Sequence, residues 1–419
     1  MVDTVIPAFL THPRSAGRLL LCLAAGTACA RPGPADVIVT HANIVDVERG
    51  LVLTDRTIVV RAGRIERIDS GGPANRPGRV VLDGTGRYVL PGLWDMHVHI
   101  GDDQRTLGLL LGWGIVGARD MGSDLDEMLA VRARQLARPA LGPRVFFGGP
   151  ALRGPRDTAD TGLAVVRSPE DARRAVAQLA ARGVDFIKVH EGLTADAWYA
   201  IAAAARAHGL PLAGHVPGGL EPEQLADSGL RSIEHLEFLP DRCLVLFDSA
   251  QQAGAAAAPA GCAPPELAAR FAYLHRDRAW LDPTIGSFRI FAPRQWPAIL
   301  GGFARLVPMI RHAGLRMLAG TDLGSAGIVP GESLHDELAL LVSAGTPPAE
   351  ALRGATLYPA EFLAVGDSLG AVRPGFAADL LILDGNPLAD IRNTRRLWAV
   401  VRGGILRDSV TLAGLRREP

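Results

Sequence analysis

The stretch WDMHVHI, residues 94–100, sets His97 and His99 on either side of a single valine, inside a short apolar run that follows Leu-Pro-Gly. Alternate side chains of a β-strand leave the same face, so both imidazoles emerge together and can meet one ion. Taken alone, the pair reads equally well as two histidines satisfied within a core. Other segments repeat the pattern of a polar side chain at the end of an apolar run. DFIKVH, residues 185–190, puts Lys188 among apolar neighbours, where an ammonium needs a compensating reason to be buried. PLAGHV (211–216) and SIEHL (232–236) carry His215 and His235 at or near their ends. MLAGTDLG (317–324) brings Asp322 to a turn eased by glycine.

In this order the segments resemble the amidohydrolase superfamily. Its binuclear members use HxH after the first barrel strand, a lysine after the fourth, histidines after the fifth and sixth, and an aspartate after the eighth. Longer stretches make the likeness more specific: GWGIVGARDMGS (112–123), DELALLVSAGTPPAEALRGATLYPAEFL (336–363) and GAVRPGFAADLLILDGNPLADI (370–391) are similar to the imidazolonepropionase-like and Xaa-Pro dipeptidase-like members. The resemblance implies an α/β fold, a (β/α)8 TIM barrel, whose active site sits at the carboxyl ends of its strands. Eight strand-like runs fit: 94–100, 115–121, 143–148, 185–190, 210–216, 232–236, 280–285 and 317–322. Helical patterns lie between several of them. One is SPEDARRAVAQLAARG from Ser168, which opens on an N-cap serine and closes at Gly183.

The flanks of the barrel, residues 36–90 and 366–415, read as short strands and turns around a barrel at 91–365. The resemblance implies that they pair into one small β-sandwich. With 419 residues, 48% of them hydrophobic, the chain can bury a barrel core and this second domain. Basic and acidic side chains number 44 each, giving no electrostatic footprint for nucleic acid or an anionic membrane and favouring a small-molecule substrate. No run of about 20 apolar residues spans a membrane. Composition leaves an oligomer open.

Residues 1–30 read as a signal peptide: Arg14 and Arg18 precede the apolar Leu19–Ala25, and Ala28-Cys29-Ala30 fits an A-x-A cleavage site. Export to the periplasm is expected. A lipoprotein anchored at Cys29 is the second reading, because Gly26 stands where a large aliphatic residue is usual. Removing the leader leaves Cys243 and Cys262, a disulfide candidate in an oxidising compartment.

The resemblance also implies roles for the site residues. His97, His99, Lys188 and Asp322 would hold the more buried of two divalent ions, zinc by the nature of the donors, with Lys188, His215 and His235 on the other. Lys188 would be carbamylated, since an ammonium cannot bind a cation, and burial at a strand end favours the neutral amine this reaction needs. Asp322 would also serve as general base and then general acid for a metal-bridging hydroxide. Arg119, His190 and His335 are weaker candidates for binding substrate, with an Arg-Asp ion pair or a helix residue as the plainer alternative. The activity implied is hydrolysis of amide C-N bonds, by a dipeptidase or N-acyl amino-acid hydrolase. The alternatives are a mononuclear imidazolonepropionase or deaminase, and a lactone or ester hydrolase. His215 is followed by Val-Pro-Gly rather than the HxxE of a deaminase, and imidazolonepropionases dispense with the lysine. A non-enzymatic binding protein would have no need of six ligand positions.

Overall fold

The computed structural model describes residues 36–72, 80–155, 163–236, 239, 243 and 261–417. The leader reading of residues 1–30, and with it Cys29, lies outside the described residues. The architecture is α/β, with parallel sheets. Leu93–Val98, Ile115–Asp120 and Arg144–Phe147 make a three-stranded parallel sheet. A second parallel sheet runs, in order, through Leu163–Val165, Ala151–Arg153, Ile187–Val189, Leu212–Gly214, Leu230–Glu234, Trp280–Asp282 and Arg316–Met317. Main-chain bonds join the first sheet to the second on both sides. Asp185 N donates to Phe147 O at 2.9 Å, Met96 N donates to Ala319 O at 2.9 Å, and Val98 forms a parallel bridge with Leu323.

The intervening helices follow their sequence signals. Pro169–Ala181 is opened by Ser168, whose Oγ accepts from Asp171 N at 3.1 Å, and Glu170 and Asp171 complement the helix dipole. Its buried residues Ala172, Val176 and Leu179 fall on one face, and Gly183 takes the left-handed conformation that ends it. Ala195–Ala207 is capped in the same way by Thr194.

The last parallel strand is shorter than the run at 317–322 suggests. Beyond Met317 the backbone still bonds to its neighbours, through Leu318 N to Leu281 O and Asp322 N to His97 O, but Asp322 adopts a φ of 62° and breaks the ladder. Two three-residue strands, Ala151–Arg153 and Leu163–Val165, carry no signal in the sequence because they are too short to show alternation. The break at Gly148-Gly149-Pro150 separates the first of them from Arg144–Phe147.

Strands from both flanks of the barrel segment meet in a single eight-stranded sheet. Leu380–Leu383 pairs with Tyr88–Pro91 on one side and with Leu397–Arg402 on the other, and Tyr88–Pro91 leads through Val37–Asp46 to Leu51–Arg61 and Arg64–Ser70. Its two faces serve different cores: Leu380 and Ile382 pack with Val37, Val60 and Val401, while Leu381 and Leu383 belong to the core of the parallel sheets. The sheet curls, since Ile65 N donates to Phe376 O and Ala378 N to Gly63 O. Hydrogen bonding thus links strands from both flanks into one curled sheet. The helix Ser409–Arg417 follows the strand-rich run at 370–408 and packs on Gln104–Gly112, where Arg416 Nε donates to Gly112 O at 2.8 Å.

Close approach at Gly320 couples this backbone to the histidines. A methyl there would collide with the Asp282 carboxylate and stand 2.7 Å from His97 Cβ. Gly320→Ala is expected to lose about 1–3 kcal/mol of stability through overpacking. Gly414→Ala, in the C-terminal helix with nothing within 4 Å, is expected to gain up to about 0.5–1 kcal/mol. Denaturant unfolding of the two variants checks both signs.

Candidate active site

His97 and His99 leave the end of the first parallel strand with their ring centroids 5.3 Å apart. His97 is fully buried, and its Nδ1 lies 3.0 Å from Glu234 Oε2. A carboxylate accepts, so Nδ1 carries the proton and the lone pair is on Nε2, which makes no hydrogen bond and stands 3.5 Å from Asp322 Oδ1. His99 repeats the arrangement: Nδ1 donates to the Gly122 carbonyl at 3.0 Å, and Nε2 lies 3.4 Å from Asp322 Oδ1. His235 holds its Nδ1 2.6 Å from Thr284 Oγ1. Three imidazoles thus have Nδ1 engaged, the orientation that metal-ligating histidines adopt when a second partner fixes the ring.

The remaining side chains converge on the same place. His235 and Asp322 both have positive φ, 59° and 62°, sparsely populated conformations that swing their side chains off the strand ends. Ligand atoms of His97, His235 and Asp322 lie within 4.8 Å of one another. The His235 ring is 4.6 Å from that of His97 and 5.0 Å from that of His215, and His190 stacks on His215 at 4.0 Å. Lys188, on the buried strand Ile187–Val189, influences the ionisation of His97, His99, His215, His235 and Asp322 alike.

Electrostatics favour the neutral form of His97, His215 and His235 and an ionised Asp322. Burial, reinforced by Lys188, holds His97 and His215 well below the usual histidine range, and burial pushes His235 down to about 3. Burial is also the largest influence on His99, but Asp322 and Asp120 outweigh it and raise that imidazole. For Asp322, burial alone would raise the carboxyl. The His99 hydrogen bond and the charges of His235, His99 and Lys188 carry it below its ordinary value. These donors, imidazole nitrogens beside a carboxylate, fit a borderline divalent cation. They open onto a cavity of about 840 Å³ lined by His99, His190, His215, His235 and Asp322, with Phe288 and Phe291 on another wall.

Two candidates lie elsewhere. Arg119 is fully buried beneath the histidines, bound to both oxygens of Glu234 and 3.4 Å from Asp282, so it cannot meet a substrate carboxylate. His335 is buried between Trp113 O and Thr394 Oγ1, each 2.9 Å away, and does not line the cavity. Cys243 and Cys262 are joined by a disulfide.

The sequence reading missed Glu234, Thr284, Asp282 and Glu337. Glu234 and Asp282 are fully buried, and burial followed by the Glu234 charge raises Asp282 well above the usual carboxylate range. Glu337 accepts from Ile285 N and Gly286 N, both at 2.8 Å, fixing the turn beside the cavity, and burial pushes it up to about 8. Glu234 and Asp282 gave the signal that singled out Lys188, an ionisable residue inside an apolar strand.

The parallel sheets carry a set of candidate metal-binding residues at their strand ends. The chain belongs to the amidohydrolase family, whose profile matches residues 88–405. It is 26% identical over 381 residues to an adenine deaminase of Rubrobacter xylanophilus, covering 86% of this chain and 55% of that one. It is 31% identical over 189 residues to an imidazolonepropionase of Chromobacterium violaceum, covering 43% of this chain and 36% of that one. The chain thus spans about half the length of the first of these relatives and less of the second. Among solved structures it is similar to a candidate prolidase from Bifidobacterium longum, at 27% identity and a TM-score of 0.73, covering 92% of this chain and 98% of that one. A Xaa-Pro dipeptidase with bound methionine shares the fold at 21% identity and a TM-score of 0.72, covering 89% and 100%. Among the described residues, no helix is long and apolar enough to cross a membrane.

The buried His335 makes a testable contribution to acid stability. Burial depresses its imidazole from 6.5 to about 3, so the unfolded chain binds a proton that the folded chain refuses. Its stabilising effect is complete above the unfolded value and is lost as the pH falls towards the folded one. Each unit of pH below about 6.5 should cost the wild type about 1.4 kcal/mol that His335→Gln does not lose. Urea midpoints of the two proteins between about pH 4 and 7 measure the difference in slope.

Proposed function

We propose that the chain is a binuclear metal-dependent amidohydrolase that cleaves amide bonds, a dipeptidase or N-acyl amino-acid hydrolase. The observation that carries this reading is Lys188, buried at a strand end where its charge reaches all four histidines and Asp322. Carbamylated, it would serve as a bridging carboxylate, with His97, His99 and Asp322 toward one ion and His215 and His235 toward the other. The candidate prolidase supports a peptide-like substrate. We place the site in a closed (β/α)8 barrel beside a sandwich-like domain, and the main-chain bonds on both sides of the three-stranded sheet support closure. Export to the periplasm rests on the leader reading and fits the Cys243–Cys262 bond, which an oxidising compartment sustains.

Bound divalent ions supply Lewis acidity, lowering the pKa of water to about 7 and polarising the scissile carbonyl. The chain's own residues do the rest. Asp322 is held below its usual range and turned into the cavity, so it can accept the proton of an attacking water and return it to the leaving amine. Ser325 Oγ donates to Asp322 Oδ2 at 3.2 Å and steadies the carboxylate between these transfers. His190, on the cavity wall against His215, is the residue left to contact substrate. The adenine deaminase relative favours a deaminase reading, but the third residue after His215 is Gly218 where a deaminase acid would stand.

Metal analysis of the purified, loaded protein should give close to two ions per chain, with turnover of Xaa-Pro or other dipeptides or of N-acyl amino acids. One ion per fully active chain, with Lys188 unmodified, would return the protein to the mononuclear class. Turnover of lactones alone would make it an ester hydrolase. Asp322→Asn should keep much of its metal while turnover falls by roughly 10²–10⁴. His97→Ala should lose metal and activity together, with a lower melting temperature.

A further inference from the structure

Beneath the ligands, three strands contribute a connected set of side chains for which the proposed chemistry has no use. Arg119, on Ile115–Asp120, donates from Nε to Met96 O at 2.6 Å, which ties its guanidinium to the strand bearing His97. Its Nη2 lies 3.0 and 2.9 Å from the two oxygens of Glu234, on Leu230–Glu234. Ser232 Oγ donates to Oε1 of the same carboxyl at 2.5 Å, and His97 Nδ1 faces Oε2 at 3.0 Å. All four residues are fully buried, so no water competes for these positions. A guanidinium only donates, and toward it both oxygens of Glu234 must accept. An oxygen that accepts from Arg119 presents an acceptor to His97 as well. The histidine proton is thereby drawn to Nδ1, and the lone pair is left on the nitrogen facing Asp322.

We propose that Arg119 and Glu234 are positioning residues that fix the tautomer of His97 and thereby set the affinity of the site for a divalent ion. The proposal rests on the metal-site reading above. A plain buried ion pair would stabilise the fold without regard to which nitrogen of His97 carries the proton, and this separates the two roles. Replacing one partner of such a pair leaves the other uncompensated, whereas replacing both with apolar side chains can restore stability.

The test uses the full chain, first without ions and labelled with ¹⁵N-histidine, with the His97 signal assigned by its absence in His97→Gln. The Nδ1–H tautomer is expected, and an Nε2–H tautomer overturns the proposal without recourse to any variant at Glu234 or Arg119. Zinc affinity by chelator competition is then compared for wild type, Glu234→Gln, and the double variant Arg119→Met/Glu234→Leu, with melting temperatures in parallel. Glu234→Gln should bind zinc roughly 10–100-fold more weakly. The double variant should recover melting temperature without recovering zinc affinity or the tautomer. Affinity that returns together with stability would reduce the pair to a structural role. Wild-type protein that binds no zinc would instead remove the metal-site reading, while the tautomer measurement still decides the arrangement of Arg119, Glu234 and His97.

Discussion

Burial of charge at the carboxyl ends of parallel strands is the constraint around which this protein is organised. Asp95, His97, Arg119, Lys188, Glu234 and Asp282 are all nearly or wholly withdrawn from water, on strands that are largely buried. Such groups persist only where each meets a partner of opposite character or changes its protonation. Arg119 is shared between Glu234 and Asp282, Asp95 accepts from Thr321 N and Oγ1, and burial raises Asp95 to about 7. The layer beneath the cavity is thus a polar lattice that fixes the strand ends relative to one another. The cavity inherits its rigidity from that lattice.

The division of labour between depth and exposure accounts for what was legible in the sequence. The HxH pair, Lys188, His215, His235 and Asp322 stood out because each interrupts or ends an apolar run at a strand position, and strand alternation is a local property that residues 94–100 display without tertiary information. Alternation says which face a side chain leaves by, but it carries no measure of depth. Arg119 ends a strand just as the candidate ligands do, yet it points into the layer below them, and no spacing rule separates the two outcomes. His335 was misread for a related reason. It follows Asp322 closely in sequence, but its helix, Glu332–Ser343, carries it to the far side, against Trp113 and Thr394.

The β-domain shows the same limit at larger scale. Its strands were legible from their alternation and turns, and the pairing of Tyr88–Pro91 with Leu380–Leu383 brings together the segments that the resemblance linked. How far the sheet curls is set by main-chain bonds such as Ile65 N to Phe376 O and Ala378 N to Gly63 O, which no side-chain pattern encodes. The short strands near residues 151 and 163 were invisible because three residues cannot display a period of two.

That pairing also orders events in time. Tyr88–Pro91 emerges early in synthesis, whereas Leu380–Leu383 and Leu397–Arg402, which complete its sheet, follow only after the whole intervening barrel segment has been made. Contacts so distant along the chain form late, after the entropy of a very long loop has been lost. Until then Val89 and Leu90 each lack the neighbours on their respective faces that come from the later strands. A growing chain therefore stays incompletely folded for most of its synthesis, a state that exposes it to aggregation if release is delayed.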